Sequence, residues 1–278
     1  NPCGSIVRAG DVIVPAHTRL TPELVAALAV GGHAQVRVLE RPVVAYLPTG
    51  SELVPYGSYP QRGQNLEANG LMVRGMLDAW GAEVRCYPIV RDDREALEAA
   101  LDRALEAADI VLINGGSSRG EEDFNARLLE QRGSYFRHGV RAIPGRPVGM
   151  ALIDGTPVVN VPGPVLAAFL CMDWLIKGLV AHYLGVPVPQ RQTVRARLAE
   201  EVKKPAGFER LSRVALSPDG EGGLTCTPLP FGLGVAHTLR ESDGMLVLPL
   251  GCTGAEAGEL VEVELLKPLE LIERGACR

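Results

Sequence analysis

Short apolar runs alternate with helical patterns along the middle of the chain, and this alternation constrains the fold more than any other feature. Runs rich in β-branched residues at 43–47 and 109–113 have the length of buried strands. Between them, residues 94–108 place apolar side chains on one face of a helix. Strands that alternate with helices predict right-handed crossovers and a mostly parallel sheet covered on both faces. We therefore expect a three-layer α/β domain over residues 41–186.

The strand at 109–113 runs directly into a glycine-rich loop with the sequence NGGSSRGEED. Glycines let a backbone approach a ligand closely, hydroxyls add hydrogen bonds, and an arginine offers donors for phosphate or carboxylate. Where such a loop meets a helix N-terminus, unpaired N–H groups and the helix dipole attract an anion. The same pattern is typical of a surface turn before an ordinary helix cap, and the loop alone leaves both interpretations open. Its candidate ligand-binding residues are Gly115, Gly116, Ser117, Ser118, Arg119 and Gly120.

Carboxylates follow three of the predicted strands. Ligands of open α/β sheets bind beyond the carboxyl ends of the strands, so Glu52, Asp92 and Asp123 would project from one edge. Each carboxylate alone is typical of a helix cap or a solvated charge. Together, beside a glycine loop, they could hold Mg²⁺ or position and deprotonate an oxygen nucleophile.

The two ends of the chain differ from its middle. Residues 1–40 contain a helix start at Thr21-Pro22 and strand-like runs at 12–14 and 35–39. We expect this partial linker segment to pack on an upstream region or a partner chain, because it is too small for its own core. The first residue is not Met, which favours a piece of a longer protein. Residues 187–278 have short alternating runs and hairpin turns that predict a small all-β domain, a barrel or a sandwich.

Charge and cysteine usage exclude several classes of protein. The formal net charge of -5 argues against a general nucleic-acid or anionic-membrane surface. The six cysteines are scattered, so we expect neither a zinc site nor a disulfide framework, and the thiols are typical of a cytoplasmic protein. The longest apolar stretch, 165–184, contains Asp173, Lys177 and His182, which favours a buried helix over a membrane span.

Seven segments resemble, in chain order, the motifs of one family. VVAYLPTGSEL is similar to the family pattern VAvlsTGdEL, IVRDDREAL to iv.Dd.e.L, GGSSRGEEDF to GGvSvG..Dy, and PGRPVGMA to PGkPv.fg. The segments beginning at Ala9, Asn65 and Glu241 match further family motifs. The chain resembles the molybdopterin molybdenumtransferase family, which includes MoeA and the gephyrin E domain.

The resemblance implies a cytoplasmic, usually dimeric enzyme. Such an enzyme ligates molybdenum from molybdate to adenylylated molybdopterin, with Mg²⁺, and releases AMP. The family's acidic catalytic positions fall on Glu52, Asp92 and Asp123, and the last two are the expected metal ligands. Besides the glycine loop, the expected substrate-binding residues are Thr49, Gly50, Pro162 and Gly163.

Several positions depart from the family pattern. Ser51 replaces an aspartate, Pro164 replaces an asparagine, and Arg146 replaces a lysine. Lysines expected before this motif fall near Gly139 and Ile143. The family's usual second domain has no room in these 278 residues. A binding protein that carries or senses molybdopterin without turnover therefore remains an alternative to the enzyme, and a scaffold is a third.

Overall fold

The computed structural model describes residue 4 and residues 6–115, 124–230 and 234–273. The helices are α1 (Pro22–Val30), α2 (Asn69–Trp80), α3 (Arg94–Leu105), α4 (Phe124–Arg132), α5 (Val165–Cys171), α6 (Lys177–Tyr183), α7 (Val235–Glu241) and α8 (Leu269–Glu273). The first nine strands are β1 (Val43–Pro48), β2 (Leu53–Pro55), β3 (Asn65–Glu67), β4 (Glu83–Cys86), β5 (Ile110–Asn114), β6 (Tyr135–His138), β7 (Ala142–Ile143), β8 (Gly149–Ile153) and β9 (Thr156–Val161). The remaining strands are β10 (Thr193–Leu198), β11 (Val202–Lys203), β12 (Glu209–Pro218), β13 (Leu224–Pro228), β14 (Gly244–Leu248), β15 (Gly254–Ala255) and β16 (Leu260–Leu265).

The first six-stranded sheet has the order β4-β1-β5-β9-β8-β6. Its first four strands are parallel, β8 pairs antiparallel with β9, and β6 pairs antiparallel with β8 and so runs in the same direction as the first four. Alternate residues of β1 face opposite layers: Val44 packs with α2 and the helices after β9, while Ala45 packs with α3 and α4. Helices therefore cover both faces, and the predicted three-layer α/β architecture is confirmed.

Local sequence signals set several helix ends. The Asp93 carboxylate accepts a hydrogen bond of 2.8 Å from the Ala96 N–H and so caps α3. Gly81 ends α2 in the left-handed conformation, at φ 90°. The sequence NLEANG also predicts a helix that begins at Asn65 as its cap, and this prediction is wrong: Asn65 lies in β3, and α2 begins only at Asn69. The helix starts later because residues 65–67 pair with β2.

The longest apolar stretch forms α5 and α6, joined by a π-helical turn at Met172–Ile176. Val165–Tyr183 is long and apolar enough to span a membrane, yet half of its apolar window is buried inside the protein. Its side chains Ala168, Met172, Ile176 and Val180 pack in the core on one face of the first sheet. The prediction of a buried helix is confirmed.

The second six-stranded sheet has the order β13-β10-β16-β14-β12-β7, and β13 also pairs with β12. This extra pairing closes five of its strands into a barrel around a separate apolar core. Strand β7, which precedes the last strands of the first sheet in the chain, pairs in parallel with β12. The barrel-like domain is confirmed, and its sheet is physically continuous with a strand from the preceding α/β region.

The amino-terminal segment packs loosely. Helix α1 forms as predicted, but no strand forms within residues 6–40, so the strands predicted at 12–14 and 35–39 are wrong. Apolar runs need a partner strand, and none of the described residues before 41 is buried. An apolar cleft of about 990 Å³ lies between this segment and the α/β region, against Trp80 and Leu184.

Candidate active site

The carboxyl ends of β1 and β5 lie side by side at the topological switch point of the first sheet, where the next strands are added on opposite sides. Strand β1 pairs with β4 on one side and with β5 on the other, so the loops after β1 and β5 diverge from a shared crevice. At this point the Thr49 N–H donates to the Asn114 carbonyl at 2.8 Å. The sheet topology therefore places the predicted ligand loops together.

The described glycines of these loops bring backbones into close contact. Gly115 has φ 120°, and a Cβ at this position would lie 2.2 Å from the Thr49 carbonyl oxygen. Its N–H donates to Val161, and the Gly50 N–H donates to Val90. These two N–H groups are therefore occupied by the sheet. The role of both glycines is close packing, whereas the sequence argument treated such N–H groups as free donors for an anion.

The Asn114 side chain is a buried hub beneath the crevice. Its Oδ1 accepts hydrogen bonds from the Tyr46 hydroxyl at 2.7 Å and from the Asn69 amide at 2.9 Å. Its Nδ2 donates to the carbonyls of Val161 and Pro162. Because all four interactions join separate elements, Asn114 fixes the loop after β9 relative to β1 and α2.

Two further side chains complete this polar network. The Asn69 amide also donates to the Gly163 carbonyl at 2.8 Å, so both carbonyls of the Pro162-Gly163 loop are held from below. The Tyr46 hydroxyl bonds to Glu67 at 2.9 Å. Burial, and then the negative charge of Glu67, raise the pKa of Tyr46 far above its ordinary value. The hydroxyl therefore stays protonated and remains a donor.

Thr49 is buried rather than presented to the crevice. Its hydroxyl donates to the Asn114 carbonyl at 3.2 Å and accepts from the Asn125 amide at 3.3 Å. Asn125 also donates to the Gly115 carbonyl at 2.9 Å and lies against the buried Asn160. The sequence argument missed these asparagines, although polar residues that end or interrupt apolar strands, such as Asn114 and Asn160, were a visible signal.

Two of the predicted acids lie on this rim. The Ser51 N–H donates to the Asp92 carboxylate at 2.8 Å, and the Asp92 N–H donates to the Ser51 hydroxyl at 3.0 Å. This reciprocal pair ties the loop after β1 to the loop after β4. The exposed Glu52 carboxylate folds over Gly50, since a Cβ there would lie 2.7 Å from Glu52 Oε2. Glu52 and Asp92 are therefore brought together.

The remaining predicted residues of the glycine loop lie outside the described residues. They are Gly116, Ser117, Ser118, Arg119, Gly120 and Asp123. Within the described ranges, no three His, Cys, Asp or Glu side chains meet in a metal-binding group. Asp92 keeps one carboxylate oxygen without a hydrogen-bond partner in those ranges, so it suits a single-carboxylate contact to Mg²⁺. The metal pair of Asp92 and Asp123 stays a prediction.

A third segment joins the rim because β8 is antiparallel to β9. Gly149, the first residue of β8, pairs with Asn160 near the carboxyl end of β9. Gly149 also pairs with His138, the last residue of β6. The connection between β6 and β8, which carries Arg146, therefore leaves and returns at the edge that holds the Pro162-Gly163 loop.

Comparison with known proteins shows which domains this chain contains and which proteins it is similar to. Residues 45–182 match a probable molybdopterin binding domain, and residues 195–266 match the MoeA C-terminal region, domain IV. The chain is 29% identical over 264 residues to a molybdopterin molybdenumtransferase of Staphylococcus aureus strain COL. The chain belongs to the molybdopterin molybdenumtransferase (MoeA) family.

Solved structures share the fold of this MoeA-family chain. The molybdopterin biosynthesis MoeA protein of Pyrococcus horikoshii has a TM-score of 0.78 and 29% identity, covering 92% of this chain and 62% of its own. A molybdenum cofactor biosynthesis protein of Pyrococcus furiosus has a TM-score of 0.68 and 23% identity, covering 94% and 82%. The aligned 264 residues are 94% of this chain but 63% of the Staphylococcus aureus relative.

The structure explains one departure from the MoeA-family pattern. At position 51 the hydroxyl of Ser51 accepts the Asp92 N–H, so the residue that replaces an aspartate still connects the two loops. Pro164 occupies the N-cap position of α5 at φ -60°, and no side-chain hydrogen bond caps that helix. Ser51 therefore keeps the two loops of the rim connected, with a hydroxyl in place of a carboxylate.

Proposed function

We propose that this chain acts in molybdenum cofactor biosynthesis by inserting molybdenum from molybdate into adenylylated molybdopterin, with release of AMP. One observation carries the proposal: in a chain that matches a molybdopterin binding domain, Glu52 and Asp92 lie on the same rim as the closely packed glycine crevice. A crevice at a topological switch point is the usual ligand site of such sheets, and carboxylates beside it would suit a phosphate-containing ligand that carries Mg²⁺.

The acids have distinct proposed roles. Asp92, together with Asp123, would hold Mg²⁺, which when bound supplies positive charge to the phosphate oxygens. Asp92 is oriented for this by the Ser51 N–H, which occupies one oxygen and leaves the other available. Glu52 is exposed and would orient or deprotonate the oxygen nucleophile that attacks the phosphoanhydride.

The substrate would lie along the loops that the buried asparagines hold. Pro162 and Gly163 present a fixed turn, because both of their carbonyls accept hydrogen bonds from below. Gly50 and Gly115 would lie beneath the substrate, where their backbones pack closely, and the buried Thr49 would support them from inside the core. The other proposed substrate-binding residues of the glycine loop are Gly116, Ser117, Ser118, Arg119 and Gly120.

We also propose that the chain forms a homodimer and acts in the cytoplasm, without nucleic-acid or membrane partners. Several apolar side chains of the amino-terminal segment are exposed, among them Val12 at 77% and Val38 at 68%. The cleft beside them is large and apolar. Exposed apolar surface of this extent is typical of an interface, and a second copy would cover it.

The test is AMP release from adenylylated molybdopterin with molybdate and Mg²⁺. We expect molybdate-dependent release, and a loss of roughly 100-fold or more in the Asp92→Asn variant. Asp93→Asn is the matched control, because it makes the same chemical change at the adjacent residue. Asn caps a helix as well as Asp does, so α3 should keep its cap and activity should persist. Retained molybdopterin binding without turnover in any form would favour the carrier or sensor alternative. No binding and no turnover would refute the proposal.

A further inference from the structure

Two buried amide side chains beneath the crevice have orientations that their partners fix. Asn114 Nδ2 donates to the carbonyls of Val161 and Pro162, which can only accept, so the Asn114 oxygen must face the other way. That oxygen accepts one hydrogen of the Asn69 amide at 2.9 Å, and the second hydrogen goes to the Gly163 carbonyl at 2.8 Å. Neither amide can therefore be turned over without placing oxygen against oxygen.

The Asn69 Oδ1 atom is left without a donor. Asn69 is 7% exposed, and among the described residues none donates a hydrogen bond to this oxygen, which is itself buried. The other amide atoms of Asn69 and Asn114 all have partners. Because a buried polar atom without a hydrogen bond costs free energy, native proteins seldom keep one unless a water or a ligand completes it.

Asn69 lies next to the crevice. It is the first residue of α2, and its amide holds the Gly163 carbonyl in the loop after β9. A Cβ at Gly163 would meet only the Gly115 Cα, at 3.9 Å, so the space on this side of the loop is not filled by side chains of the described residues. The unpartnered oxygen is therefore adjacent to the place where a ligand of the crevice would bind.

The missing partner is a hydrogen-bond donor, which excludes the anionic parts of the proposed substrate. The oxygens of ionised phosphate and of molybdate accept hydrogen bonds, so neither can complete an amide oxygen. The Asn69 oxygen is also recessed, which favours a donor that projects from the edge of a flat ring. A pterin carries such a donor, because its exocyclic amino group extends beyond the ring and has two N–H bonds.

We infer that Asn69 Oδ1 accepts a hydrogen bond from the exocyclic amino group of the pterin ring and makes the crevice specific for pterins. The inference rests on the proposed function, in which molybdopterin binds in this crevice. Ribose hydroxyls of the adenylyl group are the competing source of a donor. Asn69 would reject a ring with an oxo group in place of the amino group, because two acceptors would then face each other.

A binding cycle tests the inference without turnover. Pterin and lumazine, the same ring with an oxo group in place of the amino group, are titrated against wild type and Asn69→Ala and followed by their fluorescence. We expect wild type to prefer pterin by roughly 10-fold or more, and Asn69→Ala to prefer it by less than about 2-fold. Asn65→Ala is the matched control, because it makes the same change at an exposed asparagine of β3 and should keep the full preference.

The preference separates this hydrogen bond from the support that Asn69 gives to the Gly163 loop. If Asn69 only supports the loop or binds a water, Asn69→Ala weakens both rings equally and the preference for pterin survives, which would overturn the inference. Equal binding of the two rings by wild type, a measurement that needs no variant, would also overturn it, as would no binding of pterin.

AMP titrated in parallel distinguishes the competing donor. A loss of AMP affinity in Asn69→Ala, with the preference for pterin retained, would assign the bond to a ribose hydroxyl and contradict the inference. Unchanged AMP affinity with a lost preference for pterin is the expected result. Failure of AMP release from adenylylated molybdopterin, with the pterin preference intact, would refute only the proposed reaction.

Discussion

At the scale of single residues, two of the loops at the rim are held by polar side chains that are themselves buried. Asn114 is 3% exposed and Asn160 is 0% exposed, yet both are fully polar. The hydrogen bonds of Asn114 run to elements far apart in the chain, such as Asn69 in α2 and Pro162 after β9. Removal of one such partner leaves another polar group buried and unsatisfied, which costs more than the bond itself contributes.

Gly115→Ala tests the close approach of the loops. The added Cβ would lie 2.2 Å from the Thr49 carbonyl oxygen at φ 120°, so we expect a loss of more than about 1 kcal/mol in the free energy of unfolding by urea. Gly75→Ala in α2 is the control, because a Cβ there meets nothing within 4 Å. It should stabilise the protein by roughly 0.5 kcal/mol. Equal effects of the two substitutions would contradict the packing role of Gly115.

Tyr46→Phe tests the buried hydrogen-bond network around Asn114. The change deletes only the hydroxyl that bonds to Asn114 and Glu67, and we expect a loss of about 1–2 kcal/mol in unfolding free energy. Tyr183→Phe removes a hydroxyl that donates to the Asp109 carbonyl at a more exposed position, and should cost about 0.5 kcal/mol or less. If the two variants are equally stable, the network does not hold the rim.

The sequence could place Glu52 and Asp92 at the same edge because parallel strands all end there, a rule that needs no knowledge of hydrogen-bond partners. It could not find the roles of Asn69 and Tyr46, whose partners are set only by the folded sheet. Nor could it show that Gly50 and Gly115 use their N–H groups within the sheet. From the sequence alone, Ser51 in place of an aspartate suggests a lost contact, whereas the structure shows that its hydroxyl accepts a hydrogen bond from the Asp92 N–H.

At the scale of elements, the π-helical turn couples the core helix to the chain that enters the barrel. Asp173 in this turn is 6% exposed and pairs with Lys177 at 3.0 Å and with Arg191, which precedes β10, at 2.9 Å. The next residue, Trp174, supports Gly145. One irregular turn therefore contacts both the chain before the barrel and the rim.

Asp173→Asn tests this coupling. Removal of the shared carboxylate leaves two partly buried cations without it, so we expect a loss of about 3 kcal/mol in the free energy of unfolding. Asp102→Asn breaks an exposed pair with Arg132 and should cost under about 1 kcal/mol. Comparable losses in both variants, measured by urea unfolding, would show that the Asp173 pairs are ordinary surface contacts.

Glu264 on β16 gives the same region a pH dependence. Burial, and then the negative charge of Asp173, raise the pKa of Glu264 against the opposing charges of Arg191 and Lys177. A raised pKa means that its contribution to stability is full below the ordinary pKa of 4.5 and is lost as the pH rises through the folded value. We expect Glu264→Gln to gain stability relative to wild type as the pH rises from 4 to 7. Parallel curves of melting temperature against pH would contradict this.

Long periodic elements were predictable, and elements defined by pairing were not. The strand at 43–47 and the helix at 94–105 follow from apolar spacing and from the capping residue Asp93. The runs at 12–14 and 35–39 have the same composition but no partner, so they remain irregular. Strand β7 is only two residues long and exists because β12 lies beside it.

At the scale of the whole molecule, two sheets with separate cores share one rim. The β7–β12 pairing and a fourth apolar cluster around Leu170, Leu211 and Met245 join the barrel to the α/β region. The boundaries predicted at 41 and 187 stay predictions, although the two family matches, 45–182 and 195–266, fall on either side of the second one.

The most direct measurement is a crystal structure of the chain with adenylylated molybdopterin and Mg²⁺. We predict that the phosphoanhydride lies within hydrogen-bond distance of the Gly115 and Gly163 loops, that the metal is bound by Asp92, and that Glu52 faces the scissile bond. A ligand bound elsewhere, with Glu52 and Asp92 contacting only water, would contradict it.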